Sequence, residues 1–345
     1  MQNKKGSILL ISSWVLLILV VLAIGLGHRS SIALRLCAYQ KDSLKASYLA
    51  KAGINQAIVR LKEDTSPYNS LKSVWSTGVD PITNEPFFKN VQIRDSSGEK
   101  FTVRYLYDDE NYLCIMDEER KININKAVTD PVLQFMLTRL FDFAGVENPD
   151  DLKNLVVKWI GVAYDNSEDP GRIFKNSELK TTEELLPILE FFYQDESNPS
   201  LRARQVYGKI KDLITVYGDG KININTVDKT TLDLLIQSCK DQVEKDNPGS
   251  PMPTDLGELS AKIKEYLDHN NGYFTSITLV NRSVLGLSDS FDNIITKLQS
   301  VSNVKSNNFR INSTGEIIGK SVSKTITCVF NRDPSVNKII YWHEN

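Results

Sequence analysis

From Ser7 to Gly27 the chain carries no charged side chain and consists almost wholly of apolar and small residues. A run of about 20 such residues is long enough to cross a hydrocarbon core as one helix. It follows a short polar leader, Met1–Gly6, with Lys4 and Lys5, and ends at His28 and Arg29. No pair of small residues flanking one position follows a short apolar core, which argues against an ordinary removed signal peptide. The favoured reading puts a cut before the run, between Gly6 and Ser7, so that the apolar segment stays in the mature chain.

The helix is expected to continue beyond the membrane. Between Ser30 and Lys62 there is no proline and only one glycine, Gly53, while Ile32, Leu36, Tyr39, Ser43, Ala46, Ala50, Ile54, Ala57 and Leu61 recur three or four residues apart. A single helix from Ser7 to Lys62 would be about 80 Å long at about 1.5 Å per residue. Its lower third would sit in lipid and its upper part would lean an apolar stripe on a globular head. A membrane anchor followed by a separate amphipathic helix is the alternative, because Gly53 weakens a helix without forcing a break.

Forty-one basic and 43 acidic side chains give a net charge of −2, and the pI is near 6.0, so bulk electrostatics supplies no reason to bind nucleic acid. The three histidines, His28, His269 and His343, form neither a metal-ligand triplet nor a nucleophile arrangement, and an enzymatic reading lacks a constellation to rest on. Tyr48 and the pairs Phe87–Phe88 and Phe191–Phe192 read as packing residues. Cys37, Cys114, Cys239 and Cys328 lack metal-ligand spacing. Cys114 and Cys328 sit in strand-like segments, where a disulfide and two buried thiols are both open readings.

Residues 67–86 have the prolines and small polar side chains of a loop. Strand-like runs come next at Asn90–Ile93, Phe101–Tyr107 and Tyr112–Met116, and again at Asn308–Asn312 and Ser323–Asn331, the last two joined through Gly315 and Gly319. Between Pro131 and Leu298 the spacing is chiefly helical. A small sheet interrupted by a helical insertion explains this order with fewer parts than three sequential domains, since a compact insertion leaves its ends close together. The expected division is a leader at 1–6, a long helix at 7–62 with its span at 7–27, a discontinuous α/β head at 63–127 and 299–345, and an inserted helical domain of two related lobes at 128–298.

Those lobes are suggested by an internal echo. Lys121-Ile-Asn-Ile-Asn-Lys-Ala127 recurs as Lys221-Ile-Asn-Ile-Asn-Thr-Val227, each copy before an apolar helical stretch, 128–141 and 228–238. Ile122, Ile124, Ile222 and Ile224 can anchor extended segments in a core, while Asn125 and Asn225 can cap the adjoining turn or helix.

Taken together, the Gly6–Ser7 junction, the long helix with Gln40 to Gly53, the two Ile-Asn-Ile-Asn segments, Lys158-Trp-Ile160, Lys175-Asn-Ser177, Thr182-Glu-Glu-Leu-Leu186, and Asn308-Phe-Arg-Ile-Asn312 leading into Thr325-Ile-Thr-Cys-Val-Phe-Asn-Arg332 resemble the K-type minor pseudopilins of type II secretion systems, the general secretion pathway protein K family. The resemblance implies an α/β, pilin-like fold: a long N-terminal helix with a small antiparallel sheet, interrupted by a large α-helical insertion. It implies a non-enzymatic subunit at the pseudopilus tip that supports assembly and protein export. The expected place is the bacterial inner membrane, crossed once, with the N-terminus cytoplasmic and the C-terminal head periplasmic. The implied partners are a prepilin peptidase acting at Gly6 and Ser7, companion minor pseudopilins, the major pseudopilin, the inner-membrane secretion platform and exported proteins.

Under this resemblance Ile11 stands fifth in the mature chain, where ordinary pilins and major pseudopilins carry a glutamate that pairs with a neighbour's terminal amine. An uncharged residue there avoids the expense of a carboxylate in lipid and cannot form the pair. No cofactor is required. The acidic loop Tyr164–Gly171 offers Asp165, Glu168 and Asp169 as candidate Ca2+ ligands, without full EF-hand spacing. Two alternatives stay open: a minor pilin of a type IV pilus or DNA-uptake system, and nucleic-acid binding by helix-hairpin-helix-like repeats. The charged segment Lys240–Gly249 replaces the compact glycine-rich hairpin that phosphate recognition needs.

Overall fold

The computed structural model describes residues 4–92, 98–107, 110–112, 114–161, 174–269 and 272–345, with backbone alone at 4–8, 106–107 and 110–111. Asp165, Glu168 and Asp169 lie outside the described residues. Helix α1 (Lys4–Glu63) is one unbroken element of 60 residues, about 90 Å long at about 1.5 Å per residue. Every described side chain from Leu9 to Lys41 is exposed, and burial begins at Asp42.

Above that point α1 lies on a six-stranded antiparallel sheet. The chain passes through a short helix α2 (Val74–Thr77), then β1 (Val91–Gln92), β2 (Glu99–Val103), the small hairpin β3 (Tyr105–Tyr107) and β4 (Glu110–Tyr112), and β5 (Met116–Asp117). It next enters a helical region: β6 (Ile122–Asn123), α3 (Pro131–Phe143), α4 (Pro149–Ile160), α5 (Leu185–Phe192), α6 (Pro199–Ile210), β7 (Ile214–Thr215), β8 (Ile222–Asn223), α7 (Lys229–Asp246), α8 (Gly257–His269), α9 (Arg282–Leu285), α10 (Asp292–Ser300) and β9 (Ser302–Asn303). The chain then returns to the sheet as β10 (Asn308–Ile317), β11 (Ser323–Asn331) and β12 (Lys338–Glu344). The sheet order is β1-β2-β10-β11-β12, with β5 also paired to β10. Strands from before and after the helical region are thus direct neighbours: Phe101 faces Gly315, and Asp117 faces Phe309.

Two cores result from this arrangement. One joins α1 to the sheet through Leu49, Ala50, Ile54, Ala57, Leu61, Phe101, Phe309, Ile311, Ile326 and Phe330. The other fills the helical region and runs from Ile122 to Val304. Helix and strand come unusually close at two glycines. A Cβ on Gly315 would lie 2.1 Å from the Ala46 carbonyl oxygen and 2.7 Å from the Ala50 nitrogen. A Cβ on Gly53 would lie 2.2 Å from Ser313 Oγ and 2.8 Å from Phe101 Cδ2. Gly53 therefore does not interrupt the helix; it lets the helix seat on β10.

Three expectations change and one open reading, that of the cysteines, is decided. The stripe that leans on the head comprises Ala46, Ala50, Ile54, Ala57 and Leu61, whereas Ile32, Leu36 and Tyr39 are exposed because the head does not reach below Asp42. Gly315 lies inside β10, where its lack of a side chain admits α1, and the connection to β11 falls after Ile317. Tyr48 is 65% exposed, so it is not a packing residue; it points off α1 with Lys51 Nζ 5.9 Å from its ring centroid. All four cysteines are free thiols: Cys114 packs with Tyr105 and Met116, while Cys328 belongs to the core beneath α1. Burial pushes both thiols up to about 12.

Replacing Gly315 by valine should destabilise the head by about 3 kcal/mol, since backbone atoms that cannot rotate away stand where the side chain must go. Thermal unfolding of the full chain in detergent measures this. The same substitution at Gly208, whose Cβ would meet nothing within 4 Å, should have a much smaller effect.

Candidate functional site

The exposed stretch of α1 is the most unusual surface of the molecule. Leu9, Leu10, Ile11, Trp14, Val15, Leu16, Leu17, Ile18, Leu19, Val20, Val21, Leu22, Ile24 and Leu26 all stand free of the protein's own core. It is the one helix among the described residues that is long and apolar enough to cross a membrane. Ile11 sits on this stretch, 61% exposed. Gly6 and Ser7 are in the helix backbone near its start. An apolar helix left bare by its own head must be covered by lipid or by other helices.

Behind this helix, the helical region is held to the sheet by a joint of consecutive residues, the first four of which carry no motif in the sequence. Asp117, Glu118, Glu119, Arg120 and Lys121 are all buried. Glu118 Oε1 accepts from Arg310 Nε on β10 at 2.6 Å and from Lys121 Nζ at 3.0 Å, and its Oε2 accepts from Thr215 Oγ1 on β7 at 2.5 Å. Burial alone would raise its pKa, but Arg310 and Lys121 outweigh that and hold the carboxyl well below the usual range. Asp117 reaches the other way: its Oδ2 accepts from Thr226 Oγ1 at 2.6 Å, Ser306 Oγ at 2.6 Å and Asn223 Nδ2 at 3.1 Å. Glu119 Oε1 accepts from the Asn307 and Asn308 nitrogens and from Asn308 Nδ2 at 2.9, 3.1 and 2.8 Å. One turn of chain therefore ties both copies of the echoed motif to the start of β10.

The echo itself is structural. In the first copy Asn125 Oδ1 accepts from the Leu179 nitrogen at 2.8 Å, and Nδ2 donates to the Leu179 carbonyl at 2.9 Å. In the second, Asn225 Oδ1 accepts from the Phe274 nitrogen at 2.7 Å and Nδ2 donates to its carbonyl at 3.0 Å. Each copy also folds on itself in the same way, with Asn123 Oδ1 accepting from the Asn125 nitrogen and Asn223 Oδ1 from the Asn225 nitrogen, both at 3.0 Å. Each forms one short parallel pairing, Ile122 with Ile214 and Ile222 with Ser302. Asn125 and Asn225 are accordingly clamps on distant backbone. The helix caps belong to Asp130, bonded to the Val132 and Leu133 nitrogens, and Asp228, bonded to the Thr231 nitrogen.

Among the described residues, no group of three or more His, Cys, Asp or Glu side chains is placed to hold a metal ion. The acids of the joint are taken up by protein donors that tie the helical region to the sheet.

Two consequences are measurable. Glu118→Gln should destabilise the protein by about 3 kcal/mol, because the buried Lys121 and the half-buried Arg310 would be left without their counter-charge. A carboxyl with a depressed folded pKa gives stability that is present above its unfolded value and lost as pH falls through the folded one. Chemical denaturation of the variant should therefore show a weaker loss of stability on acidification than the wild type. Asn125→Ala and Asn225→Ala should each cost about 2–3 kcal/mol by orphaning a buried peptide group, and equal losses would reflect the equivalence of the two clamps.

The sequence matches no protein-family model and no curated protein. Among solved structures, a chain of the GspK-GspI-GspJ complex from the enterotoxigenic Escherichia coli Type 2 Secretion System has the same fold, with a TM-score of 0.58 over 89% of this chain and 98% of that one at 14% sequence identity. The likeness at that identity is one of fold alone.

Proposed function

We propose that this chain is a non-enzymatic minor pseudopilin of the K type, seated at the tip of a type II secretion pseudopilus and supporting its assembly and protein export. The observation that carries the reading is the pairing of a bare apolar helix with a large head whose helical region is bonded to the sheet through Asp117–Lys121. The helix supplies a surface for lipid first and partner helices later, and the head supplies bulk that obstructs addition of a further subunit above it. The fold shared with a chain of the GspK-GspI-GspJ complex, over nearly all of that chain's length, supports the same reading.

In this account residues 7–27 span the bacterial inner membrane, with the N-terminus cytoplasmic and the head periplasmic. A prepilin peptidase removes residues 1–6 at Gly6, leaving Ser7 as the mature terminus. Ile11 suits a terminal position because it needs no charge partner. Companion minor pseudopilins, the major pseudopilin and the inner-membrane platform are the expected contacts of α1, and exported proteins are candidates for the head. The division into a discontinuous head at 63–127 and 299–345 and an insertion at 128–298 belongs to this proposal, as does Ca2+ binding by Asp165, Glu168 and Asp169.

Tagging the C-terminus, extracting membranes and sequencing the mature terminus tests the account. The expected result is a chain starting at Ser7 that co-purifies with other long-helix subunits of a secretion assembly, and Gly6→Leu should retain the leader and abolish that recovery. A stable mature chain that keeps residues 1–6 overturns the processing claim. Recovery with subunits of a retractable pilus instead transfers the chain to that machine.

A further inference from the structure

No carboxylate side chain precedes Asp42 in the sequence. The basic side chains before it fall into two groups, Lys4 and Lys5 ahead of the apolar run and His28, Arg29, Arg35 and Lys41 beyond it. The second group lies wholly on the exposed stretch of α1 below the head. The acids nearest the foot of the head are already matched by lysines: Asp42 by Lys320, Glu99 by Lys45 at 2.7 Å and Glu344 by Lys51 at 3.0 Å. Arg29 and Arg35 therefore stand on a bare helix whose only nearby acids are engaged elsewhere, and they offer their charge outward.

Height along the helix separates the members of this group. The 21 residues from Ser7 to Gly27 rise about 31 Å at about 1.5 Å each, which matches a hydrocarbon core of about 30 Å and leaves no slack. His28 and Arg29 come next, at the level of the headgroups, with the hydroxyls of Ser30 and Ser31 beside them. Arg35 lies about 12 Å above Gly27, on the same helix face as His28 two turns below, and its long side chain can bend down towards the interface. Lys41 lies about 21 Å above Gly27, beyond the headgroup layer by more than the Debye length of about 8 Å.

We propose that His28, Arg29 and Arg35 form a collar that binds the phosphate groups of anionic phospholipids in the leaflet on the head's side of the membrane, and that this contact holds the chain in place until assembly. The proposal rests on residues 7–27 spanning the membrane. Arginine presents a planar fork of donors that fits phosphate oxygens, and each arginine at an anionic surface is worth about fivefold in affinity. Loss of residues 1–6 would take Lys4 and Lys5 away, so the mature helix keeps basic side chains only at its outer end. Such a helix can be drawn outward without pulling a charged side chain through lipid. The resistance to extraction then lies at the collar and varies with the headgroups around it.

Cys37 is exposed while Cys114, Cys239 and Cys328 are buried, so an environment-sensitive fluorophore can be attached close to Arg35 without disturbing the head. The test places the labelled full chain in nanodiscs of phosphatidylcholine with increasing fractions of phosphatidylglycerol. The fluorescence should shift as phosphatidylglycerol rises, and the shift should vanish in about 1 M salt, where the Debye length is about 3 Å. Arg29→Gln combined with Arg35→Gln should raise the midpoint about tenfold or more, whereas Lys41→Gln should leave it in place. Millimolar inorganic phosphate added to pure phosphatidylcholine discs should change nothing. Trp14, exposed on the apolar run, reports the span in the same discs through quenching by brominated acyl chains. A quenched Trp14 with no response to phosphatidylglycerol overturns the collar and leaves the span standing; an unquenched Trp14 overturns both. A Lys41→Gln effect as large as that of the arginine pair, or a response to free phosphate that equals the response to lipid, also overturns the proposal.

Discussion

Helix α1 can rest on β10 only because, at each point of closest approach, one of the two surfaces carries no side chain. Ala46 and Ala50 on the helix face Gly315 on the strand, and one turn further on Gly53 faces Ser313 and Phe101. That backbone contact fixes the height of the head on the helix. It leaves everything from Leu9 to Lys41 outside the fold and buries the stripe from Ala46 to Leu61 inside it. It also requires β10 to be central, and a central β10 needs β2 on one side and β11 on the other, strands separated in sequence by the whole helical region. The chain must therefore leave the sheet and return to it at nearly the same place.

The joint at Asp117–Lys121 is where that departure and return are reconciled. The residues just before the helical region hold the residues just after it, with Glu119 on Asn307 and Asn308 and Asp117 on Ser306. Burying so many charges is a poor source of stability compared with apolar packing, since the desolvation of each ion opposes its pairing. What it supplies is geometry. Each carboxylate has a specified set of donors, and a displaced lobe would strand several at once. A large appendage is thereby carried at a defined angle, which apolar contact alone would leave looser.

Much of the architecture was legible in the order of residues. The uncharged run from Ser7 to Gly27, the three-and-four spacing that ends at Leu61, the strands on both sides of a helical stretch and the repeated Ile-Asn-Ile-Asn all have local signatures, and each has its counterpart in an element of the fold. The joint was not legible for a physical reason: three successive acids followed by two bases look like an ordinary solvated segment until the distant donors are known. The same holds for Asn125 and Asn225, whose partners lie 54 and 49 residues away, so that the nearer and cheaper hypothesis, a helix cap, came first. Glycine usually signals a turn, yet Gly315 lies inside a strand, and β12 has no sequence signature because Lys338–Glu344 mixes charged, aromatic and aliphatic residues without alternation.

The central claim is that this head terminates a filament which its own helix helps to begin. Electron cryo-microscopy of filaments pulled down through a C-terminal tag tests it most directly. The account requires one head of this size, with its helical region attached to the sheet, at a single end of each filament and none along the shaft. Copies of the head repeating along the shaft, or filaments with ordinary small-headed subunits at both ends, would contradict it.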